Sequence, residues 1–228
     1  MPAYFSEGTW RFFRALARNN NRTWFHAHKP DYERHVREPY QRLLEDLRPA
    51  VAEISAHYHA NPARAGGSLF RINRDTRFAN DKSPYKTWQG AKIYHTRHRQ
   101  LEAPSFHLHL RPGQSFVGAG LWRPHNDTVR KVRQFILDNP ASWKAAAHDA
   151  GVRERFALDD RNMLVRMPHG FPADFEFAAD LRRKGFVLMR PLDDSAMTGP
   201  GLLALLEEDF AALARFTDYL CAAVDLEF

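Results

Sequence analysis

The spacing of apolar residues changes once in the first half of this chain, and that change limits the fold more than any other feature. Between Tyr32 and Ile54, apolar side chains recur every three or four residues, which predicts amphipathic helix with one buried face. Beyond the turn-rich segment 61–67 the period falls to about two, the spacing of side chains on one face of a strand. The sequence therefore predicts helices followed by a sheet.

Four strands are predicted in the middle of the chain, at 68–73, 91–96, 105–111 and 115–122. The last two are separated by Pro112-Gly113-Gln114, a short loop that favours an antiparallel hairpin. In the third strand His107 and His109 alternate with leucines, so one face is predicted to enter the core and the other to stay outside it.

Helical spacing returns after the last predicted strand and ends in a long apolar stripe from Leu202 to Val224. We predict an α+β fold in which a central, mainly antiparallel sheet of about four or more strands packs with N-terminal and C-terminal helices. The 228 residues fit one domain, in which residues 1–60 are helical, residues 67–122 are rich in sheet and residues 126–228 are helical.

The chain has one cysteine, Cys221, which excludes an intrachain disulfide and is typical of a reducing compartment. We see no apolar stretch of the roughly 18 residues that a membrane-spanning helix needs, and residues 1–11 lack the order of a secretory signal. We therefore expect a cytoplasmic protein without membrane association.

Basic residues are concentrated in the predicted sheet region. Residues 64–99 contain nine Lys or Arg and two acids, whereas residues 202–228 contain one base and six acids. Pairing inside the basic window cannot neutralise it, which favours an anion-binding surface; solvated ion pairs are the alternative.

The basic window is densest at the end of the first predicted strand and in the loop that follows. Arginine forks donate paired hydrogen bonds to phosphate or carboxylate, so several converging arginines indicate an anion site. Asp75 among them should have a lowered pKa and should orient Arg74 or Arg77 rather than act as a base. The predicted anion-binding residues are Arg71, Arg74, Asp75, Arg77, Lys82, Lys86 and Trp122.

The same segment resembles a family of bacterial and fungal conserved proteins of unknown function, marked by the pattern R-x-x-R-D-x-R-F-x-x-x-K-x-P-Y. The pattern is matched by Arg71, Arg74, Asp75, Arg77, Phe78, Lys82, Pro84 and Tyr85. Residues 109–113 and 115–122 also look like the family's, so the resemblance covers nearly the whole chain. It implies that the basic cluster matters and supplies no reaction, cofactor or substrate.

Three residues are candidates for proton transfer, His107, His109 and Tyr85, because histidine changes charge near neutral pH. The two histidines are also weak candidates for metal binding, which would need a third ligand from elsewhere. No Rossmann or P-loop pattern is present, and no cofactor is evident.

Three functions agree with these residues, and the sequence leaves open whether any of them includes a reaction. The first is a pocket for a phosphate-bearing or other anionic small molecule. The second is a nucleic-acid-binding module that uses the window 64–99 with Phe78, Tyr85, Trp88 and Tyr94 for stacking. The third is a buried ionic scaffold without a ligand. The carboxylate of Asp75 favours the shaped pocket, because a non-specific phosphate groove gains little from it.

Overall fold

The computed structural model describes residues 3–228 and contains a six-stranded sheet flanked by helices. The strand order is β1-β2-β3-β4-β6-β5, and every neighbouring pair is antiparallel. This confirms the predicted α+β class and the mainly antiparallel sheet. The strands are β1 Tyr58–His59, β2 Gln89–His95, β3 Ser105–Leu110, β4 Ser115–Leu121, β5 Ala157–Leu158 and β6 Phe186–Leu192.

Helices precede β1 and follow β4. The first set is α1 Glu7–Arg18, α2 Arg22–Ala27, α3 Lys29–Tyr32, a π-helical turn Glu33–Arg37, α4 Glu38–Asp46 and α5 Arg48–Ile54. The second set is α6 Asn126–Asp138, α7 Pro140–Ala147, α8 Ala150–Arg155, α9 Ala178–Leu181, α10 Asp194–Thr198 and α11 Leu202–Ala223.

Two prolines divide the long N-terminal helical pattern, as their chemistry requires. Pro39 and Pro49 fall in the first turns of α4 and α5, where the backbone N–H that proline lacks would not be needed for the helix.

The π-helical turn before α4 is bonded to α1. The Thr9 hydroxyl of α1 donates a hydrogen bond of 2.8 Å to the carbonyl of His35 in this turn. That bond satisfies a carbonyl in the irregular turn and fixes it against α1.

One face of the sheet forms the core. Phe106 and Leu108 of β3 are fully buried there, and the Phe106 ring lies 5.2 Å from that of Phe210 in α11. From the N-terminal helices, the buried Tyr40 hydroxyl donates a 2.8 Å hydrogen bond to the carbonyl of Leu108. Both helical sets therefore contact the same face, and the side chains of the opposite face meet loops and solvent.

Two regions of the chain differ from the sequence prediction. The predicted strand 68–73 is not continuous: Leu69 bridges to Ala91 of β2, and the chain then turns away so that Asn73 bridges to Tyr85. Segment 126–228, predicted as helical, also contributes β5 and β6. In β6 an apolar run replaces the period-two alternation that identified the other strands, because its core face and much of its other face are covered.

Within residues 3–228, no helix is both long enough and apolar enough to cross a membrane.

Candidate functional site

The face of the sheet that points away from the helices carries histidines, a lysine and aromatic rings. We call it the histidine face. Register fixes its layout, since Lys92 of β2 lies opposite His107 of β3, and His109 lies opposite Phe116 of β4. The alternation that sends the leucines of β3 into the core thus places both histidines together on the other side.

Aromatic rings pack over these histidines from both sides. The Trp88 ring centroid lies 4.6 Å from that of His109, and Phe116 stacks on the other side of His109 at 4.7 Å. Gly90 allows this approach, because a Cβ there would lie 3.1 Å from the Phe70 ring and 3.2 Å from the Trp88 ring.

Glycines in β4 permit the close approach of β6. Gly118 and Gly120 lie opposite His107 and Ser105 of β3, and Trp122, the first residue after β4, packs on His107 with 5.2 Å between ring centroids. Gly120 has a φ of +138°, and a Cβ at this position would lie 2.0 Å from the carbonyl oxygen of Phe186. A larger residue cannot occupy it without moving β6.

The two histidines are neutral at pH 7. Burial, with the nearby charges of His109 and Lys92, lowers the pKa of His107 to about 3. Burial and the charge of Arg111 lower the pKa of His109 to about 4. His107 is 6% exposed, and its Nδ1 has no hydrogen-bond partner among the described residues.

Lys92 is the cation nearest to the buried histidine. Its Nζ lies 5.5 Å from the centroid of the Trp122 ring, and burial lowers its pKa. Within residues 3–228, no carboxylate forms an ion pair with Lys92. A groove of about 350 Å³ opens beside it, lined in part by Lys92, Tyr94, Arg99, Ser105, Gly120 and Trp122. We call it the Lys92 groove. Its one lining carboxylate, Glu102, accepts a hydrogen bond of 2.8 Å from the backbone amide of His125.

Residues 71–86, the basic loop, form an irregular hairpin at the edge of the sheet. Its base is closed by backbone hydrogen bonds from Arg74 to Pro84 and from Lys86 to Ile72, each 2.8 Å. Near its tip Phe78 is 95% exposed. The loop is therefore anchored at its base and projects into solvent.

Two arginines of the basic loop already have carboxylate partners. Arg77 donates to both oxygens of Asp75, from Nε at 3.0 Å and from Nη2 at 2.7 Å, and Arg74 pairs with Asp81. The hydrogen bonds from Arg77 lower the pKa of Asp75, in the direction the sequence predicts. The Arg77 and Asp75 side chains are 76% and 45% exposed, so this is a surface pair.

The lysines of the loop bind backbone carbonyls. Lys82 donates from Nζ to the carbonyl of Thr76 at 3.0 Å. Lys86 donates to the carbonyls of Arg71 and Asn73, and its Nζ lies 5.4 Å from the Trp88 ring centroid. Lys86 therefore connects the loop to the histidine face.

The structure separates the predicted site residues into two groups. Arg74, Asp75, Arg77 and Lys82 lie in the exposed portion of the loop, whereas His107, His109 and Trp122 meet on the histidine face. Arg71 and Lys86 lie at the loop base, between the two groups. Tyr85 is buried with its ring stacked on Phe25 at 4.0 Å, and it contacts neither histidine ring.

Four residues of the histidine face were missing from the predicted anion-binding residues: Phe70, Trp88, Lys92 and Phe116. Trp88 was predicted only as a stacking residue of the nucleic-acid alternative, and Lys92 only as one base of the window 64–99. Lys92 had a detectable signal, since it is a lone charge in the strand sequence Gln-Gly-Ala-Lys-Ile-Tyr-His and lies opposite a histidine. Within residues 3–228, no group of three or more His, Cys, Asp or Glu side chains could hold a metal ion. The two histidine rings lie roughly parallel, 6.1 Å apart.

A buried ionic cluster does exist, but in the core. Asp209 of α11 has no exposed side-chain surface and pairs with Arg190 of β6 at 2.6 Å and with Arg155 at 2.6 Å. The Asp209–Arg190 pair joins α11 to β6 on the side of the sheet opposite the histidine face.

The model of one family, described as a conserved hypothetical protein (DUF2461), matches residues 8–219. The chain therefore belongs to this family. Neither the curated proteins nor the solved structures contain a match.

Proposed function

We propose that this member of the DUF2461 family binds a small phosphate-bearing or other anionic molecule in the Lys92 groove. The observation that carries the proposal is the half-buried ammonium group of Lys92, which has no carboxylate partner among the described residues, lies over the Trp122 ring, and belongs to the residue opposite His107 on the neighbouring strand.

An anion at this position would correct a local deficit of charge. Burying a cation without a carboxylate partner is unfavourable, and a bound phosphate or carboxylate would supply the missing charge. The exposed surface of the Trp122 indole would support a planar portion of the ligand.

The same anion would change the chemistry of His107. A negative charge nearby stabilises imidazolium, so binding would raise the pKa of His107 from about 3 toward the range in which histidine transfers protons. Any reaction would thus depend on the bound ligand, with His107 as the donor or acceptor of the proton.

The basic loop has a supporting role in this proposal. Arg74 and Arg77 are paired on the surface, so their positive field would attract anions without direct contact. Arg71 and Lys86 stand nearer the histidine face, where the positive charge of Arg71 contributes after burial to a lowered pKa of Lys86.

Calorimetric titration with adenosine 5′-monophosphate, a planar ring with one phosphate, tests the proposal. We expect Lys92→Met to weaken binding by about tenfold or more, because charge-assisted hydrogen bonds contribute about 1.5–3 kcal/mol. Lys82→Met is the matched control: it removes the same charge from the exposed loop and should leave the affinity nearly unchanged. Equal affinities of wild type and Lys92→Met would refute the proposal, as would no binding of this nucleotide by wild type.

A nucleic-acid-binding function is the second candidate, favoured by the exposed ring of Phe78. The Arg77 guanidinium lies 5.8 Å from that ring, and half-buried Trp88 and Tyr94 supply further aromatic surface. This function requires affinity for a single-stranded oligonucleotide that falls steeply with salt. An electrophoretic titration without a salt-sensitive complex would eliminate it. The third interpretation, a buried ionic scaffold in the basic loop, conflicts with the exposure of the Arg77–Asp75 pair.

A further inference from the structure

A second groove lies against Trp122, next to the Lys92 groove. It has a volume of about 450 Å³ and is lined in part by Trp122, Arg123, Asp159, Arg161, Lys184 and Val187. Trp122 and Leu121 line both grooves. We call this one the Lys184 groove, and the indole of Trp122 stands between the two.

The Lys184 groove carries excess positive charge. Its one lining carboxylate, Asp159, is occupied by Arg161, with Nε to Oδ1 at 2.7 Å and Nη2 to Oδ2 at 2.8 Å. Within residues 3–228, neither Arg123 nor Lys184 forms an ion pair. Two uncompensated cations therefore border one concavity, which attracts an anion more strongly than a flat surface with the same charge.

The backbone at Arg123 is held in an unusual conformation. Its φ is +54°, in the left-handed region, which is unfavourable for residues with a Cβ. The neighbouring Gly185 permits a close approach, because a Cβ there would lie 3.0 Å from the carbonyl oxygen of Leu121 and 3.5 Å from the amide nitrogen of Arg123. The turn that ends β4 thus keeps a strained arginine on the wall of the groove.

We propose that the Lys184 groove binds a second anionic group of the same ligand, so that the ligand has a planar ring with negative groups at two separate ends. The inference rests on the proposed binding at Lys92. Because Lys92 lines only the first groove and Lys184 only the second, a single phosphate cannot occupy both, whereas a ring against Trp122, which lines both grooves, can direct one anionic group into each. A nucleoside 3′,5′-bisphosphate has this chemistry.

Three adenosine nucleotides distinguish the effect on affinity of where the second anionic group lies from the effect of total charge. Calorimetric titration would compare adenosine 5′-monophosphate, adenosine 5′-diphosphate, whose phosphates share one end, and adenosine 3′,5′-bisphosphate. We expect the bisphosphate to bind about tenfold tighter than the monophosphate, through added charge-assisted hydrogen bonds, and the diphosphate to gain much less.

Substitutions in the Lys184 groove test whether the added affinity for the bisphosphate arises there. Lys184→Met and Arg123→Gly should each remove most of the bisphosphate gain and leave monophosphate affinity unchanged. Glycine suits the φ of +54°, so Arg123→Gly removes the charge without disturbing the turn. Arg130→Ala, a charge removal on the exposed side of α6, is the matched control and should change neither affinity.

The outcomes distinguish the two proposals. Monophosphate binding that depends on Lys92, with no added affinity for the bisphosphate, would overturn the second anion site alone. An equal gain from the diphosphate, or an equal loss from Arg130→Ala, would also overturn it, since either shows a general effect of charge. Failure of wild type to bind the monophosphate would instead overturn the proposed function, and this inference with it.

Discussion

Replacing Lys92 by methionine should stabilise the free protein while it weakens ligand binding. The half-buried ammonium has no carboxylate partner among the described residues, and its burial disfavours the charged form. A fully buried, unsatisfied polar group costs about 1–3 kcal/mol, which is an upper limit for Lys92. Methionine keeps a similar unbranched stem against Trp122 and removes the charge. Because Lys92 is only partly buried, we take the lower half of that range and expect the free energy of unfolding to rise by about 1–2 kcal/mol.

The stability advantage of Lys92→Met over wild type should depend on pH. The native pKa of Lys92 is lowered from 10.5 by burial, so at pH 7 both native and unfolded states carry the charge and the native state bears the full cost. As pH rises through the lowered pKa, the native state loses the proton first and wild type gains stability. The advantage of Lys92→Met should therefore shrink between that pKa and 10.5.

Urea unfolding followed by circular dichroism, at pH 7 and again near pH 10, measures this difference. For a chain of this size the gain corresponds to about 2–8 °C in Tm. Lys82→Met, which removes an exposed charge, should show no gain. A Lys92→Met protein no more stable than wild type at pH 7, or an advantage that grows with pH, would refute the argument. Adenosine 5′-monophosphate should reduce this advantage, because ligand at 100 times the wild-type Kd adds about 2.7 kcal/mol to wild type and about 1.4 kcal/mol to a variant that binds tenfold more weakly.

Three further substitutions test other features of the structure. The pKa of His107 is lowered to about 3 in the native state, so the unfolded state takes up a proton first as pH falls below 6.5. The free energy of unfolding of wild type should therefore fall by up to about 3 kcal/mol between pH 7 and pH 4 because of His107. In an acid titration, His107→Phe should show a correspondingly smaller fall. Asp209→Asn leaves Arg190 without its buried counter-charge and should cost about 3–5 kcal/mol in urea unfolding, whereas a loss smaller than about 1 kcal/mol would mean that this pair is dispensable. Asp75→Ala removes a surface pair with Arg77, and a thermal scan should show an unchanged unfolding midpoint; a severe loss would restore the scaffold interpretation.

Periodicity predicted the elements of the fold that bury one face. The alternation around His107 and His109 identified β3 and its two faces, and the short loop 112–114 identified the β3–β4 hairpin. Strand β6 was not predicted, because its apolar residues do not alternate with polar ones and its partner β4 is distant in sequence. Segment 68–73 was predicted as a strand because its alternation is real, but it forms isolated bridges and then turns into the basic loop.

The candidate site was harder to predict, because a count of charges does not show which are paired. Nine bases against two acids indicated an unneutralised window, yet both acids, Asp75 and Asp81, pair within the basic loop with arginines close in sequence. Lys92 is a candidate ligand contact because it is half-buried opposite His107, and that position depends on the register of β2 against β3, which the sequence does not give. Trp122 was predicted to share one pocket with the arginines of the loop and the histidines, and the structure places it beside His107 and Lys92.

The outermost strands of the sheet, β1 and β5, are two residues long. An exposed strand edge offers unpaired backbone amides and carbonyls on which another chain can continue the sheet, and a two-residue edge offers too few for stable pairing. The seven-residue strand β4 lies inside the sheet and pairs along both edges, whereas the outer edge of β6 pairs with β5 at two residues. The folded protein should therefore resist edge-to-edge aggregation at high concentration, apart from the portion of β6 that β5 leaves uncovered.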